Sequence, residues 1–178
     1  MAKPIHTIGH STRPIDEFIA LLRRSEIEIV VDVRTVPRSR TNPQYNSDAL
    51  RASLIEAGVG YEHLPALGGL RGRSRERPVA RNAFWKNESF HNYADYAMGE
   101  AFHDGLAALR EIGQRRSAAV MCSEAVWWRC HRRIIADYLI HAGLPVFHIV
   151  GAQRVEPAQM TAAAIPGPND TLMYPASP

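Results

Sequence analysis

The spacing of apolar positions switches repeatedly between short β-branched runs and a three-to-four repeat, which is the signature of strands alternating with helices. Residues 3–9 (KPIHTIG) predict a first strand. Ser11 or Thr12 then caps a helix with Pro14 in its first turn and Asp16 and Glu17 near its positive end. Ile15, Phe18, Ile19 and Leu22 lie on its inward face. Residues 27–33 (IEIVVDV) predict a buried strand, and Ser47 caps a second helix, SDALRASLIEAG, closed by Gly58. Residues 59–63 form a short third strand. Helical spacing then covers 90–113 with a break near Gly99, and residues 117–122 are a fourth strand. A helix over 129–141, ended by Gly143 and Pro145, leads to a fifth strand at 145–150.

Strand and helix in alternation predict an α/β fold: a single domain over 1–150 with a mostly parallel sheet of about five strands and helices on both faces. The layering expected is flavodoxin- or rhodanese-like. Residues 151–178 hold five of the twelve prolines and read as a Pro-rich C-terminal tail, partly ordered at best.

Composition narrows the class. At 178 residues, 46% hydrophobic and 22% charged, the chain suits one globular domain. Its first residues lack the apolar run of a secretory signal, and no stretch approaches a membrane span, so a cytoplasmic protein with no membrane partner is expected. Two cysteines exclude a disulfide framework, and both are expected as thiols. Of 21 basic residues, only Lys3 and Lys86 are lysine and the rest are arginine. Such a bias fits a GC-rich genome, and it equally fits guanidinium forks that capture phosphate or carboxylate.

In open parallel sheets ligands sit beyond the carboxyl ends of the strands. Polar residues collect at four such ends here. The first strand leads to His10 and Ser11, and the second to Asp32 and then Arg34, Arg38 and Arg40. The third ends at His63 ahead of Gly68, Gly69 and Arg71, and the fourth at Cys122 and Glu124. The arginines at 34, 38 and 40 have no acidic neighbour between Asp32 and Asp48, and those at 71, 73, 75 and 77 alternate through a Gly-containing loop. Both runs suit anion binding or a phosphodiester backbone, and both also suit a solvated loop. Neither a dinucleotide fingerprint nor a Walker phosphate loop is present.

The densest chemistry lies in VMCSEAVWWRCHRR, residues 120–133. Cys122, where strand gives way to loop, is positioned to be an activated thiol or else a polar wall, with Arg129 and Arg132 lowering its pKa and Glu124 as acid or base. Cys130 lines up with Ile134 and Tyr138 and reads as a core residue, while His131 points near the crevice. A cysteine phosphatase or sulfurtransferase would close five amide-bearing residues with an arginine. Here six residues without glycine, one of them acidic, separate Cys122 from Arg129. A metal site could recruit Cys122, Cys130 and His131 with His10 or His63, but the spacing matches no standard zinc arrangement. A thiol redox pair is a third possibility, without the usual Cys-x-x-Cys.

Thr7-Ile8-Gly9-His10-Ser11, Asp32-Val33-Arg34 with Pro37-Arg38-Ser39-Arg40, Tyr61-x-His63-Leu64-Pro65-x-Leu67-Gly68-Gly69, and Met121-Cys122-x-Glu124 with Cys130-His131-Arg132 occur in that order. Together they resemble the domain of unknown function 488 family over roughly residues 5–150. The resemblance implies a small bacterial or archaeal α/β domain without a settled activity, in which the four motifs make one site. The Asp-x-Arg opening is also similar to rhodanese-type domains, as an analogy of fold.

The expected function is an enzyme or ligand-binding domain for an anionic substrate: a phosphorylated small molecule, nucleotide or nucleic acid. Cys122, Glu124, His10, Asp32 and His63 are the candidate catalytic groups. Ser11, Arg34, Arg38, Arg40, Gly68, Gly69, Arg71, His131 and Arg132 are the candidate binding groups. A non-catalytic nucleic-acid-binding or regulatory module and a metal-handling protein are the alternatives. The sequence assigns no cofactor, no metal and no oligomeric state.

Overall fold

A computed structural model describes residues 2–177. The chain runs β1 (Ile5–Gly9), α1 (Ile15–Arg24), β2 (Ile29–Asp32), α2 (Ser47–Glu56), β3 (Gly60–His63), α3 (Glu88–Ala97), α4 (Glu100–Arg115), β4 (Ala118–Cys122), α5 (Arg132–His141) and β5 (Val146–Gly151). Three further strands follow: β6 (Arg154–Pro157), β7 (Ile165–Pro166) and β8 (Leu172–Met173). The main sheet has the order β3-β2-β4-β1-β5-β6, parallel throughout except for β6 at one edge.

Alternation along the strands distributes the two helix layers. Ile8, Val30, Ala119 and Met121 face α1 and α2, where Phe18, Leu22, Leu50 and Leu54 are fully buried. Val31, Ala118, Val120 and Cys122 face the other way, against Tyr93, Phe102, Leu109 and Ile134 of α3, α4 and α5. Asp32 shares the parity of Val30 and Cys122 that of Val120, so the two candidate groups leave the sheet on opposite faces.

Helix placement follows local chemistry. Asp16 and Glu17 sit in the first turn of α1 and Arg23 and Arg24 in its last, each favourable to the helix dipole. The long helical stretch divides at Gly99, as expected, and Asn87 caps α3 by accepting from the Phe90 backbone N–H.

Four expectations change: Pro14 and Asn46, rather than Ser11 or Thr12 and Ser47, stand at the N-caps of α1 and α2, and the last helix and the tail differ as well. The last helix begins at Arg132 rather than 129, because a 3-10 turn over Trp127–Arg129 precedes it and leaves Cys130 ahead of the helix. Residues 151–177 of the Pro-rich tail are ordered. Its β6 adds a sixth strand to the sheet, Leu172 and Tyr174 are buried, and the Tyr174 hydroxyl donates to Asp137 at 2.8 Å. Pro157 and Pro166 end the edge strands β6 and β7, and Pro168 opens a 3-10 turn over Pro168–Asp170.

Candidate active site

Register brings the four strand ends level. Gly9 lies opposite Cys122, Asp32 opposite Met121, and Asp32 opposite His63 on the other side. The pairing continues past the sheet: the backbone N–H groups of His10 and Ser11 donate to the carbonyls of Cys122 and Ser123 at 2.9 and 3.0 Å. Ser11, with φ of 50°, then turns the chain away.

On the α1–α2 face, Asp32 is fully buried and accepts from Arg34 Nε at 2.9 Å and Nη2 at 2.7 Å, and from the Tyr61 hydroxyl at 2.6 Å. The paired carboxylate and guanidinium close the loop onto itself. The Ser11 carbonyl can only accept, so His10 carries its proton on Nδ1 (2.8 Å) and presents Nε2 to Arg34 Nη1 at 3.4 Å. Its ring stacks on Tyr45, 4.1 Å between centroids. His63 donates from Nε2 to the Arg34 carbonyl at 2.7 Å. The cluster is an internal brace that sets the path of residues 34–38.

The opposite face carries the thiols. Cys122 and Cys130 are 3% and 5% exposed, with their sulfurs 2.7 Å apart. Arg132, only 1% exposed, donates from Nε to Cys122 Sγ at 3.0 Å, from Nη1 to Thr7 Oγ1 at 2.9 Å and from Nη2 to the Glu124 carbonyl at 2.8 Å. Among the described residues no carboxylate pairs with it. A buried guanidinium without a counter-charge is costly by several kcal/mol. One negative charge on the thiol pair supplies it. Two sulfurs this close cannot both ionise, so the pair releases one proton early and one late. Burial pushes the Cys130 thiol up, but the hydrogen bond from Cys122 and the Arg132 charge outweigh it and bring it down to about 7. Burial and the Cys130 neighbour push Cys122 well up.

His131 stands beside Cys130. Its Nε2 donates to the Val33 carbonyl at 2.9 Å, which leaves Nδ1 as an acceptor 3.5 Å from Cys130 Sγ. Burial holds the ring below its usual pKa, in the neutral form a base requires. Gly69 packs on the ring so closely that a Cβ would lie 2.6 Å from Nδ1.

Behind Arg132 a polar chain runs to the supposed tail. Thr7 accepts from Arg132, so its hydroxyl donates to His148 Nδ1 at 2.6 Å. His148 stacks on Trp127 at 4.5 Å, and Trp127 Nε1 donates to Glu156 of β6 at 2.8 Å. Burial lowers both His10 and His148 to about 4 from 6.5. Each binds fewer protons folded than unfolded between those values, so their stabilisation is complete above 6.5 and is lost as pH falls through 4. The urea midpoint is expected to drop over that window, and to drop less in a His10→Gln/His148→Gln variant.

A cavity of about 400 Å³ opens over both sulfurs. Of the predicted site residues, Arg34, Arg38, Gly69, Cys122, Glu124 and His131 line it. Arg38 and Arg129 are exposed there without an ion pair among the described residues, beside apolar Val36, Leu70 and Phe90. The remaining candidates lie elsewhere. His10, Asp32 and Arg132 are buried behind the wall, and Arg40 is exposed away from the lining. Ser11 and His63 are partly buried in the brace. Arg71 folds back, donating to the Gly68 and Pro65 carbonyls at 3.0 and 2.7 Å with its guanidinium over Tyr96, and Gly68 packs on Thr35. These two hold the loop rather than facing the cavity. Thr7 and the contact between Cys122 and Cys130 are not legible in the sequence, because nothing in a spacing of eight announces that two sulfurs touch.

The loop between Cys122 and Arg129 does not cradle an anion with amides: the Glu124 carbonyl turns toward the Cys122 sulfur at 3.7 Å and is taken by Arg132. Among the described residues no three His, Cys, Asp or Glu side chains converge as metal ligands, and no helix is long and apolar enough to cross a membrane. A family model described as "Domain of unknown function DUF488" matches residues 14–139. No curated protein and no solved structure matches the chain.

Proposed function

The chain belongs to the DUF488 family, a domain of unknown function, and from its site we propose a thiol-dependent enzyme acting on a small anionic substrate. The observation that carries this reading is Arg132: buried, unpaired by any carboxylate among the described residues, and donating to a cysteine sulfur. Such a cation favours a thiolate at the cavity floor, and the thiolate is the nucleophilic form. Cys130 is the attacking group in this scheme, its proton leaving to solvent by way of neutral His131 Nδ1, whose ring the Val33 carbonyl orients. Cys122 donates its S–H to the thiolate. Arg38 and Arg129 at the mouth attract the anion, and Glu124, also on the lining, is the group available to protonate a leaving group.

The test uses the thiol as reporter. Iodoacetamide modification of Cys130 is followed by peptide mass spectrometry, in phosphate against chloride at matched ionic strength. Phosphate is expected to protect, and Arg38→Ala/Arg129→Ala to abolish the protection. Equal rates in both salts would remove the anionic substrate. Tight, steeply salt-dependent binding of single-stranded oligonucleotides that survives Cys130→Ser would favour the non-catalytic module instead.

A further inference from the structure

We propose that Cys122 and Cys130 are a reversible dithiol–disulfide couple that exchanges with small-molecule thiols and is held toward its reduced form by Arg132. This rests on the thiolate reading above and adds an electron-transfer activity to it.

The geometry is already near that of the bond. The sulfurs are 2.7 Å apart, against about 2.05 Å in a disulfide, so closure requires an approach of well under 1 Å. They come from separate places, the end of β4 and the turn ahead of α5, and both line the cavity. No other cysteine exists in the chain to resolve a mixed disulfide.

The exchange balances with a small-molecule disulfide, RSSR, as oxidant. The Cys130 thiolate attacks one sulfur, the S–S bond breaks and RS⁻ leaves. The Cys122 thiol then loses its proton and attacks Cys130, and the second RS⁻ leaves through the cavity. One of the two released thiolates takes the proton. The protein has lost two electrons and gained one S–S bond.

The direction of poise follows from charge. Reduced, the pair carries a negative charge beside Arg132. Oxidised, it is neutral, and Arg132, 1% exposed with both thiols free, is left with only Thr7 Oγ1 and the Glu124 carbonyl as good acceptors. Stabilising the dithiol makes the disulfide an easily reduced one, unlike a structural crosslink. The thiolate also accepts a hydrogen bond from the Arg132 backbone N–H at 3.4 Å, a weaker contribution of the same sign.

The test equilibrates the intact protein anaerobically with graded mixtures of reduced and oxidised glutathione, quenches it in acid and reads peptide masses. Expected is a Cys122–Cys130 crosslink, lighter by two hydrogens, that opens in mixtures only mildly reducing. Arg132→Met is expected to shift the midpoint at least tenfold toward the disulfide, about 30 mV for a two-electron couple. A stable glutathione adduct on Cys130 without crosslink, or a crosslink surviving strongly reducing mixtures, overturns the proposal. Either result on wild-type protein decides it even where Arg132→Met fails to fold. If the thiol still ionises near neutrality while no crosslink forms, only the couple fails. If neither occurs, the thiolate reading fails with it.

Discussion

Replacing Arg132 with methionine is expected to slow alkylation of Cys130 at pH 7 by at least tenfold. Methionine fills most of the space but removes the charge that offsets burial, and the first thiol ionisation returns from about 7 to at least the ordinary value near 8.5. The same change strips Thr7 Oγ1 and the Glu124 carbonyl of a donor each. Breaking a buried, charge-compensated cluster costs on the order of 3 kcal/mol.

The cost depends on pH with a definite sign. The folded thiol ionises more readily than the unfolded one, so its stabilisation is complete above the unfolded value and is lost as pH falls through about 7. Below that, the wild-type protein itself buries an uncompensated guanidinium. The gap in urea midpoint between wild type and Arg132→Met is therefore expected to be wide at pH 8.5 and to narrow at pH 6. A gap independent of pH would mean that Arg132 only packs.

Gly9→Ala is expected to be the most disruptive small substitution in the chain. A Cβ at position 9 would stand 1.8 Å from the Glu124 carbonyl oxygen, 2.6 Å from its carbon and 2.9 Å from Ala125 Cα. All three are backbone atoms, so no side chain can rotate to make room. Either the paired ends of β1 and β4 separate or the loop carrying Glu124 shifts, at a cost of about 3 kcal/mol. Since that carbonyl also accepts from Arg132 Nη2, the thiols move with it. Gly72→Ala, where a Cβ meets nothing within 4 Å, is the control and is expected to be near neutral. Urea midpoints and Cys130 alkylation rates measured on both variants check this. Gly9→Ala with wild-type values in both would show that β1 and the loop are not in register as described.

These two residues also mark where sequence reading stopped. The strands were legible because β-branched runs such as IEIVVDV are buried on both faces, and parallel strands then level their carboxyl ends. That was enough to gather His10, Asp32, His63 and Cys122 into one region. It could not show that β2 directs Asp32 and β4 directs Cys122 to opposite faces, because parity depends on a register not written in either segment. Arg34 looked free for an anion, yet Asp32 two residues earlier takes its Nε and Nη2. Cys130 looked like a core residue because helical spacing ran through it to Ile134 and Tyr138. It is buried in that core as expected, and a 3-10 turn at Trp127–Arg129 delays the helix and brings it against Cys122 as well. The tail was misjudged for a compositional reason: its prolines outweighed Leu172 and Tyr174, whose burial anchors it.

The most direct test of the shared thiolate is the ultraviolet absorbance of thiolate in the folded protein, followed against pH. Two separated steps are expected, one thiol ionising near 7 and the other well above the ordinary cysteine range, with Cys130→Ser leaving a single step. Both thiols ionising together at or above about 8.5 would contradict the charge assigned to the Arg132 cluster, and with it the nucleophile at the cavity floor.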